Sequence, residues 1–113
     1  MSFSFFKLFK SFPKKHNALL NAIEKMCDFR PSNYTVYLSA FRQKFENETQ
    51  KEVNMHYERL EYLGDAILGS LIAQYLYDEY PEGNEGFLTS MRSKVVSRKA
   101  LNRVAIKLGI PKW

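Results

Sequence analysis

Cysteine and histidine are scarce in this chain of 113 residues, which contains one cysteine and two histidines. A single cysteine cannot form a disulfide within the chain, and it excludes a zinc site built from a cysteine cluster. No apolar run approaches the roughly 20 residues that a membrane-spanning helix requires. The low cysteine content agrees with a reducing compartment, and we therefore expect a cytoplasmic protein.

The composition is that of a folded domain with a basic surface. Hydrophobic residues make up 45% of the chain and charged residues 26%, which is not typical of a disordered protein. The formal net charge of +5 favours an anionic partner, either nucleic acid or a membrane surface.

Residues 1–15 form a Phe- and Lys-rich N-terminal arm. The mixture of phenylalanines and lysines lacks the continuous apolar core of a signal peptide. Two interpretations remain, a basic amphipathic membrane segment or an arm that packs its phenylalanines on the domain. We favour the packed arm and do not expect a membrane partner. The residues concerned are Phe3, Phe5, Phe6, Leu8, Phe9 and Phe12, with Lys7, Lys10, Lys14 and Lys15.

Helical periodicity predicts an all-α fold of about five helices after the arm, with no strand. The segments that follow this period are approximately 16–28, 34–44, 55–80, 86–96 and 97–108. Residues 46–53 are polar and have no period, which predicts a surface loop. Cys27 lies on the apolar stripe of the first helix and is predicted to fill the core.

The third and fifth predicted helices have clear apolar faces. The third has a wide apolar face, which is typical of a largely buried central helix. In the fifth, Ser97 is predicted to be the N-cap and Gly109 to end the helix. Its side chains predicted to point inward are Leu101, Val104, Ala105 and Leu108.

An acidic stripe lies within the third predicted helix. Glu58, Glu61 and Asp65 have the spacing i, i+3 and i+7, so they project from one side of the helix. Such like charges destabilise an isolated helix by about 0.2–0.5 kcal/mol per pair. We expect a basic side chain or a divalent cation to compensate them. Gly64 and Gly69, in the same helix, indicate close approach of another backbone or helix.

The residues from Glu58 to Ala66, ERLEYLGDA, resemble the signature of the ribonuclease III family position by position. Tyr80-Pro81 and the later run EGFLT are similar to the family's next segment, a proline-containing loop and an acid-glycine pair that opens a helix. Arg92 and the run VSRKAL resemble the segment after that. The similarity spans about residues 34–110 and leaves the arm outside.

This resemblance implies a metal-dependent endonuclease that hydrolyses double-stranded RNA and leaves 5′-phosphate and 3′-hydroxyl ends. It implies that Glu61 and Asp65 are the catalytic ligands of Mg²⁺, or of Mn²⁺. Glu58 and Glu85 match further acids of the same cleft, and Tyr62 matches an aromatic residue at the interface of a homodimer. Precursors of ribosomal RNA are the substrates that the resemblance suggests.

Basic residues cluster in the last third of the chain. Lys99, Arg103 and Lys107 have the spacing i, i+4 and i+8, which places them in one stripe on a helix. A basic stripe fits the phosphate backbone of an RNA duplex, although an ordinary solvated helix face has the same pattern. The residues expected to contact RNA are Arg92, Lys94, Arg98, Lys99 and Arg103.

The sequence departs from the family pattern after Glu85, because no aspartate or glutamate follows that residue. The family completes its metal site with two acids on a later helix and usually continues into a double-stranded RNA-binding domain. We therefore expect residues 16–113 to be a partial ribonuclease III domain, catalytically incomplete alone. Three interpretations stay open: a piece of a longer enzyme, which we favour, a shortened relative that needs a partner, or a non-catalytic RNA-binding or dimerisation module.

Overall fold

The computed structural model describes residues 16–45 and 47–113, and over these residues the fold is all-α, as the periodicity predicted. None of the helices in this part of the chain combines the length and apolarity needed to cross a membrane. The predicted packing of the N-terminal arm concerns residues outside the described range. The helices are α1 (Asn17–Cys27), α2 (Tyr34–Ala40), α3 (Gln50–Glu79), α4 (Glu85–Val95) and α5 (Arg98–Leu108), and a 3₁₀ turn (Ile110–Lys112) follows them.

The buried core lies between α1 and α2. Leu19, Leu20 and Ile23 of α1 pack against Tyr34 and Leu38 of α2. The apolar period of α1 therefore faces the core along its whole length, as expected for an amphipathic helix. The partly buried side chains around this core are Met26, Cys27, Tyr37, Phe41 and Phe45.

Leu20→Ala is expected to lower the free energy of unfolding by about 2–5 kcal/mol, because it removes buried methyl groups and leaves a cavity. Leu20 is fully buried, with 0% of its surface exposed. Urea unfolding followed by circular dichroism measures the change. Phe29→Ala is the control, because Phe29 is 56% exposed and its truncation should cost less than about 0.5 kcal/mol. Equal stability of both variants would contradict this core.

A polar contact ties α1 to α2. The Tyr34 hydroxyl donates a hydrogen bond to Oε1 of Glu24, and Oε2 of Glu24 lies 3.9 Å from Nε of Arg30. Burial, this hydrogen bond and the negative charge of Glu24 together raise the pKa of Tyr34 to about 12. The folded state therefore favours the neutral, protonated form of Tyr34.

Stability is expected to fall as the pH rises from about 10 towards 12, because the pKa of Tyr34 is about 12 in the fold and 10 ordinarily. The unfolded chain loses the tyrosine proton first, so the contribution of Tyr34 is complete below pH 10 and is lost through the folded pKa. Urea midpoints measured across this range should fall more steeply for the wild type than for Tyr34→Phe. Parallel curves for the two proteins would show that Tyr34 does not carry the effect.

α3 begins earlier than predicted. The hydroxyl of Thr49 accepts a hydrogen bond from the Glu52 backbone N–H at 3.2 Å, and the Glu52 carboxylate accepts one from the Thr49 backbone N–H at 2.7 Å. This reciprocal pair is a capping box, and its hydrogen bonds lower the pKa of Glu52. The predicted loop over residues 46–53 was therefore wrong from Gln50 onward. The Thr-x-x-Glu pattern in the sequence indicates this helix start, whereas apolar periodicity does not.

The prediction that α3 is largely buried was also wrong. Its buried residues are Val53 and Leu76, whereas Leu63, Ile67 and Leu71 are 53%, 51% and 59% exposed. α2 lies against the first part of α3 and α4 against its last part. The middle of α3 is consequently open.

The ends of α5 were predicted correctly, but its packing was not. The Ser97 hydroxyl accepts a hydrogen bond from the Ala100 backbone N–H at 3.2 Å, and Gly109 ends the helix with a left-handed φ of 74°. The face predicted to point inward is largely exposed. Leu101, Val104 and Leu108 are 37%, 53% and 46% exposed, while Ala105 is half-buried.

Candidate metal-binding site and RNA-binding surface

The acidic stripe lies on an uninterrupted stretch of α3. Glu58, Glu61 and Asp65 are all exposed and project from one side of the helix. Residues three or four positions apart on a helix have Cβ atoms about 5–6 Å from each other. Glu61 and Asp65 are thus one turn apart, close enough for both carboxylates to reach one ion.

Among the described residues, no basic side chain forms an ion pair with Glu61 or Asp65. The ion pairs in this part of the chain join Arg30 to Glu24 and His56 to Glu48. Of the two candidates for compensating the stripe, a basic side chain is not found among residues 16–45 and 47–113. A divalent cation stays a prediction.

The residues present fit a magnesium-type ion held at two points. Mg²⁺ prefers oxygen ligands, commonly takes one or two carboxylates, and completes its shell with water and phosphate oxygens. Glu61 and Asp65 offer such oxygens, and their exposure leaves room for water and substrate. The described residues do not bring three or more acidic, histidine or cysteine side chains around one position. The arrangement therefore supplies a pair of ligands rather than a closed site.

Glu85 does not lie beside this pair within one chain. It is the first residue of α4 and borders a depression between α3 and α4, together with Ala73 and Tyr77. Ala73 is eight residues beyond Asp65, which corresponds to about 12 Å along a helix. Within one chain the α3–α4 turn places Glu85 near the end of α3, and its role as a further acid of the cleft stays a prediction.

The residues predicted to contact RNA are all exposed to solvent, and none takes part in an ion pair within the described part of the chain. α4 and α5 are separated by only Val96 and Ser97, so these residues belong to two adjacent helices. They are Arg92 and Lys94 on α4, with Arg98, Lys99 and Arg103 on α5.

Beside the acidic stripe, α3 presents an exposed apolar surface. Tyr62 is 81% exposed. A Cβ atom added at Gly64 or Gly69 would meet nothing within 4 Å, so the close approach expected at these glycines does not occur within the described chain. Exposed apolar surface of this kind is typical of an interaction site.

Glu48 was not among the residues predicted from the sequence, yet its carboxylate contacts both Phe45 and His56. One carboxylate oxygen of Glu48 lies 3.2 Å from Nδ1 of His56. The other accepts a hydrogen bond from the backbone N–H of Phe45 at 2.9 Å. His56 is thereby held two residues before Glu58, while its exposed position is that of a structural surface residue. No local sequence pattern marks this contact, since its partners meet only once the loop has folded.

Comparison with known proteins identifies similar sequences in one family. A family model described as the ribonuclease III domain matches residues 58–113. The chain is 48% identical over 97 residues to Ribonuclease 3 of Zunongwangia profunda, which covers 85% of this chain and 40% of that protein. It is 42% identical over 106 residues to Ribonuclease 3 of Flavobacterium psychrophilum, covering 92% and 43% respectively. No solved structure matches it.

The chain spans about two-fifths of the length of these curated relatives. The structure is that of an all-α domain with exposed carboxylates on one helix and exposed basic residues on the next two. The signature on α3 and the relatives make the assignment specific: the chain belongs to the ribonuclease III family.

Proposed function

We propose that this protein is a ribonuclease III-type endoribonuclease domain that hydrolyses double-stranded RNA to products with 5′-phosphate and 3′-hydroxyl ends. The observation that carries the proposal is the pair of exposed carboxylates on α3, Glu61 and Asp65, which has no ion-pair partner among the described residues. This pair lies inside the segment that the ribonuclease III family model matches.

Glu61 and Asp65 are the residues that would hold the divalent cation, Mg²⁺ or Mn²⁺. A bound cation supplies neutralisation of phosphate charge and a more acidic water. The chain itself holds the two carboxylates at a fixed spacing, because both belong to the middle part of one long helix. Glu58 adds a third negative charge on the same side and favours cations near the stripe. Glu85, at the start of α4, is proposed as an additional acid of the cleft.

The exposed basic residues of α4 and α5 would bind the phosphate backbone of the duplex. Side chains cannot read the deep and narrow major groove of A-form RNA, so contacts to phosphates and sugars dominate recognition of a duplex. Binding of this kind is independent of sequence and decreases with salt. Arg92, Lys94, Arg98, Lys99 and Arg103 are the proposed contacts.

A homodimer is part of the proposal. Tyr62, at 81% exposure, is proposed to pack at its interface, where burial of the exposed ring would be favourable. Precursors of ribosomal RNA are the proposed biological substrates, and the cytoplasm is the proposed location.

The test compares a labelled long RNA duplex with the corresponding single strand at low salt and with Mg²⁺. We expect salt-dependent binding that prefers the duplex, and slow cleavage that leaves 5′-phosphate ends. Equal cutting of both substrates, or ends of the opposite kind, would reject the proposal. Duplex binding without cleavage in either Mg²⁺ or Mn²⁺ would favour a non-catalytic RNA-binding module instead.

A further inference from the structure

The turn between α3 and α4 is closed by hydrogen bonds at both ends. The backbone N–H of Tyr80 donates to the Leu76 carbonyl at 2.9 Å, and that of Gly83 donates to the Tyr80 carbonyl at 3.0 Å. The Asn84 side chain then accepts a hydrogen bond from the Phe87 backbone N–H at 2.9 Å, which caps α4. The chain thus passes from α3 to α4 through a short connection with defined backbone geometry.

The ring of Phe87 occupies the space that a side chain at Gly83 would need. A Cβ atom on Gly83 would lie 2.7 Å from Cδ1 of Phe87 and 3.2 Å from the carbonyl oxygen of Tyr80. Gly83 does not have a left-handed φ, so a side chain there is opposed by space alone, from the Phe87 ring, which is 42% exposed, and from the Tyr80 carbonyl. The same ring meets Tyr80 edge-to-face, with ring centroids 5.3 Å apart. Phe87 therefore contacts both the turn and the end of α3.

This contact adds to the packing of α4 against the last part of α3, where Leu76 is buried and Leu88 is half-buried. Neither α4 nor α5 contains a fully buried residue, so the packing that sets their angle to α3 is shallow. Phe87 lies within the first turn of α4. A ring held between Gly83 and Tyr80 consequently constrains the direction in which the helix leaves the turn.

We propose that Gly83, Phe87 and Tyr80 form a positioning element that holds α4 and α5 at a fixed angle to α3. The element sets the spacing between the basic residues of α4 and α5 and the acidic stripe of α3. Several cations contact a duplex at once only when the protein holds them in register with its phosphates, and preorganisation of this kind raises affinity. The RNA-binding part of this inference rests on the proposed function.

Gly83→Ala is the variant that tests the element, and Gly86→Ala is its matched control. A Cβ atom at Gly86 would meet only Oδ1 of Asn84, at an ordinary 3.6 Å. Phe87→Ala removes the ring, so adding Gly83→Ala to that variant should have a smaller effect than in the wild type, from the 3.2 Å approach to the Tyr80 carbonyl alone. Such non-additivity is expected of two residues in direct contact.

The first measurement is the affinity for an RNA duplex, by fluorescence anisotropy over a range of salt concentrations. Gly83→Ala is expected to weaken duplex binding by about threefold or more. It should also reduce the slope of log K against the logarithm of the salt concentration, because fewer basic side chains reach phosphates. Gly86→Ala should bind like the wild type. Wild-type binding by Gly83→Ala would overturn the RNA-binding role. Weaker binding at an unchanged slope would overturn it too, because that result indicates only a smaller folded fraction.

The second measurement reports the position of the helices without RNA. Spin labels on Ser70→Cys and Asn102→Cys, in a Cys27→Ser background, give the distance between α3 and α5. Gly83→Ala should shift or broaden this distance, and Gly86→Ala should not. An unchanged distance would overturn the positioning element. If the distance shifts but the wild type binds no duplex, the proposed function fails while the positioning of α4 stands.

Discussion

Glu61→Gln is expected to lower Mg²⁺-dependent cleavage of an RNA duplex by roughly a hundredfold or more. Glutamine keeps the shape of the side chain but removes its charge, so Asp65 would remain the single charged ligand on that turn. The described residues bring no third ligand to the pair, and cleavage by the chain alone is therefore expected to be slow already. The measurement needs excess protein and long incubation under single-turnover conditions.

Glu79→Gln is the matched control for this variant. Glu79 is exposed on the same helix, and 18 residues separate it from Glu61, which is about 27 Å along the axis. Its neutralisation should leave cleavage unchanged, whereas Mn²⁺ binding should weaken only in Glu61→Gln. Cleavage by Glu61→Gln at the wild-type rate would show that Glu61 is not part of the site. Fast cleavage by the wild-type chain would show that two carboxylates suffice, or that copies of the chain share ligands.

The triple replacement of Lys99, Arg103 and Lys107 by glutamine is expected to lower duplex affinity by about a hundredfold at low salt. All three side chains are exposed on one stripe of α5. Each phosphate contact that is lost should reduce the slope of log K against log salt by about 0.9. The slope of the triple variant should therefore fall by roughly 2–3, with little change in thermal stability.

A second triple variant separates position from net charge. Lys25, Lys44 and Lys51 are exposed but lie on α1, in the loop between α2 and α3, and in the first turn of α3. Their replacement by glutamine removes the same charge from another part of the surface. It should leave the salt slope nearly unchanged. An equal loss of duplex affinity in the two triple variants would show that binding depends only on the total charge of the protein, and the proposed surface would be wrong.

Helix boundaries were largely predictable from local residues. Ser97 and Gly109 mark the ends of α5 in the sequence and in the fold. The second helix was predicted to reach residue 44, whereas α2 ends at Ala40. The error at the start of α3 arose because Thr49 and Glu52 signal a helix through hydrogen bonds rather than through apolar period. Such signals act within four residues, so the sequence contains them.

The candidate site was predictable to the same extent. The one-sided stripe of Glu58, Glu61 and Asp65 follows from helical geometry once α3 is recognised. The absence of a basic partner among the described residues could not be predicted, because any of the basic side chains could in principle have folded onto the stripe. The position of Glu85 depends on the direction of α4, and the apolar periodicity of α4 does not predict that direction.

The sequence by itself determined the helical segments, the acidic stripe and the membership of the ribonuclease III family, because each depends on residues close together in the chain. Only the tertiary structure decided which apolar faces are buried. Leu63 and Val104 have the spacing of core residues and yet are more than half exposed, at 53% each. Burial depends on which other helix covers a face, and the turn at Gly83 and Phe87 directs α4 towards the end of α3 and leaves the middle of that helix open.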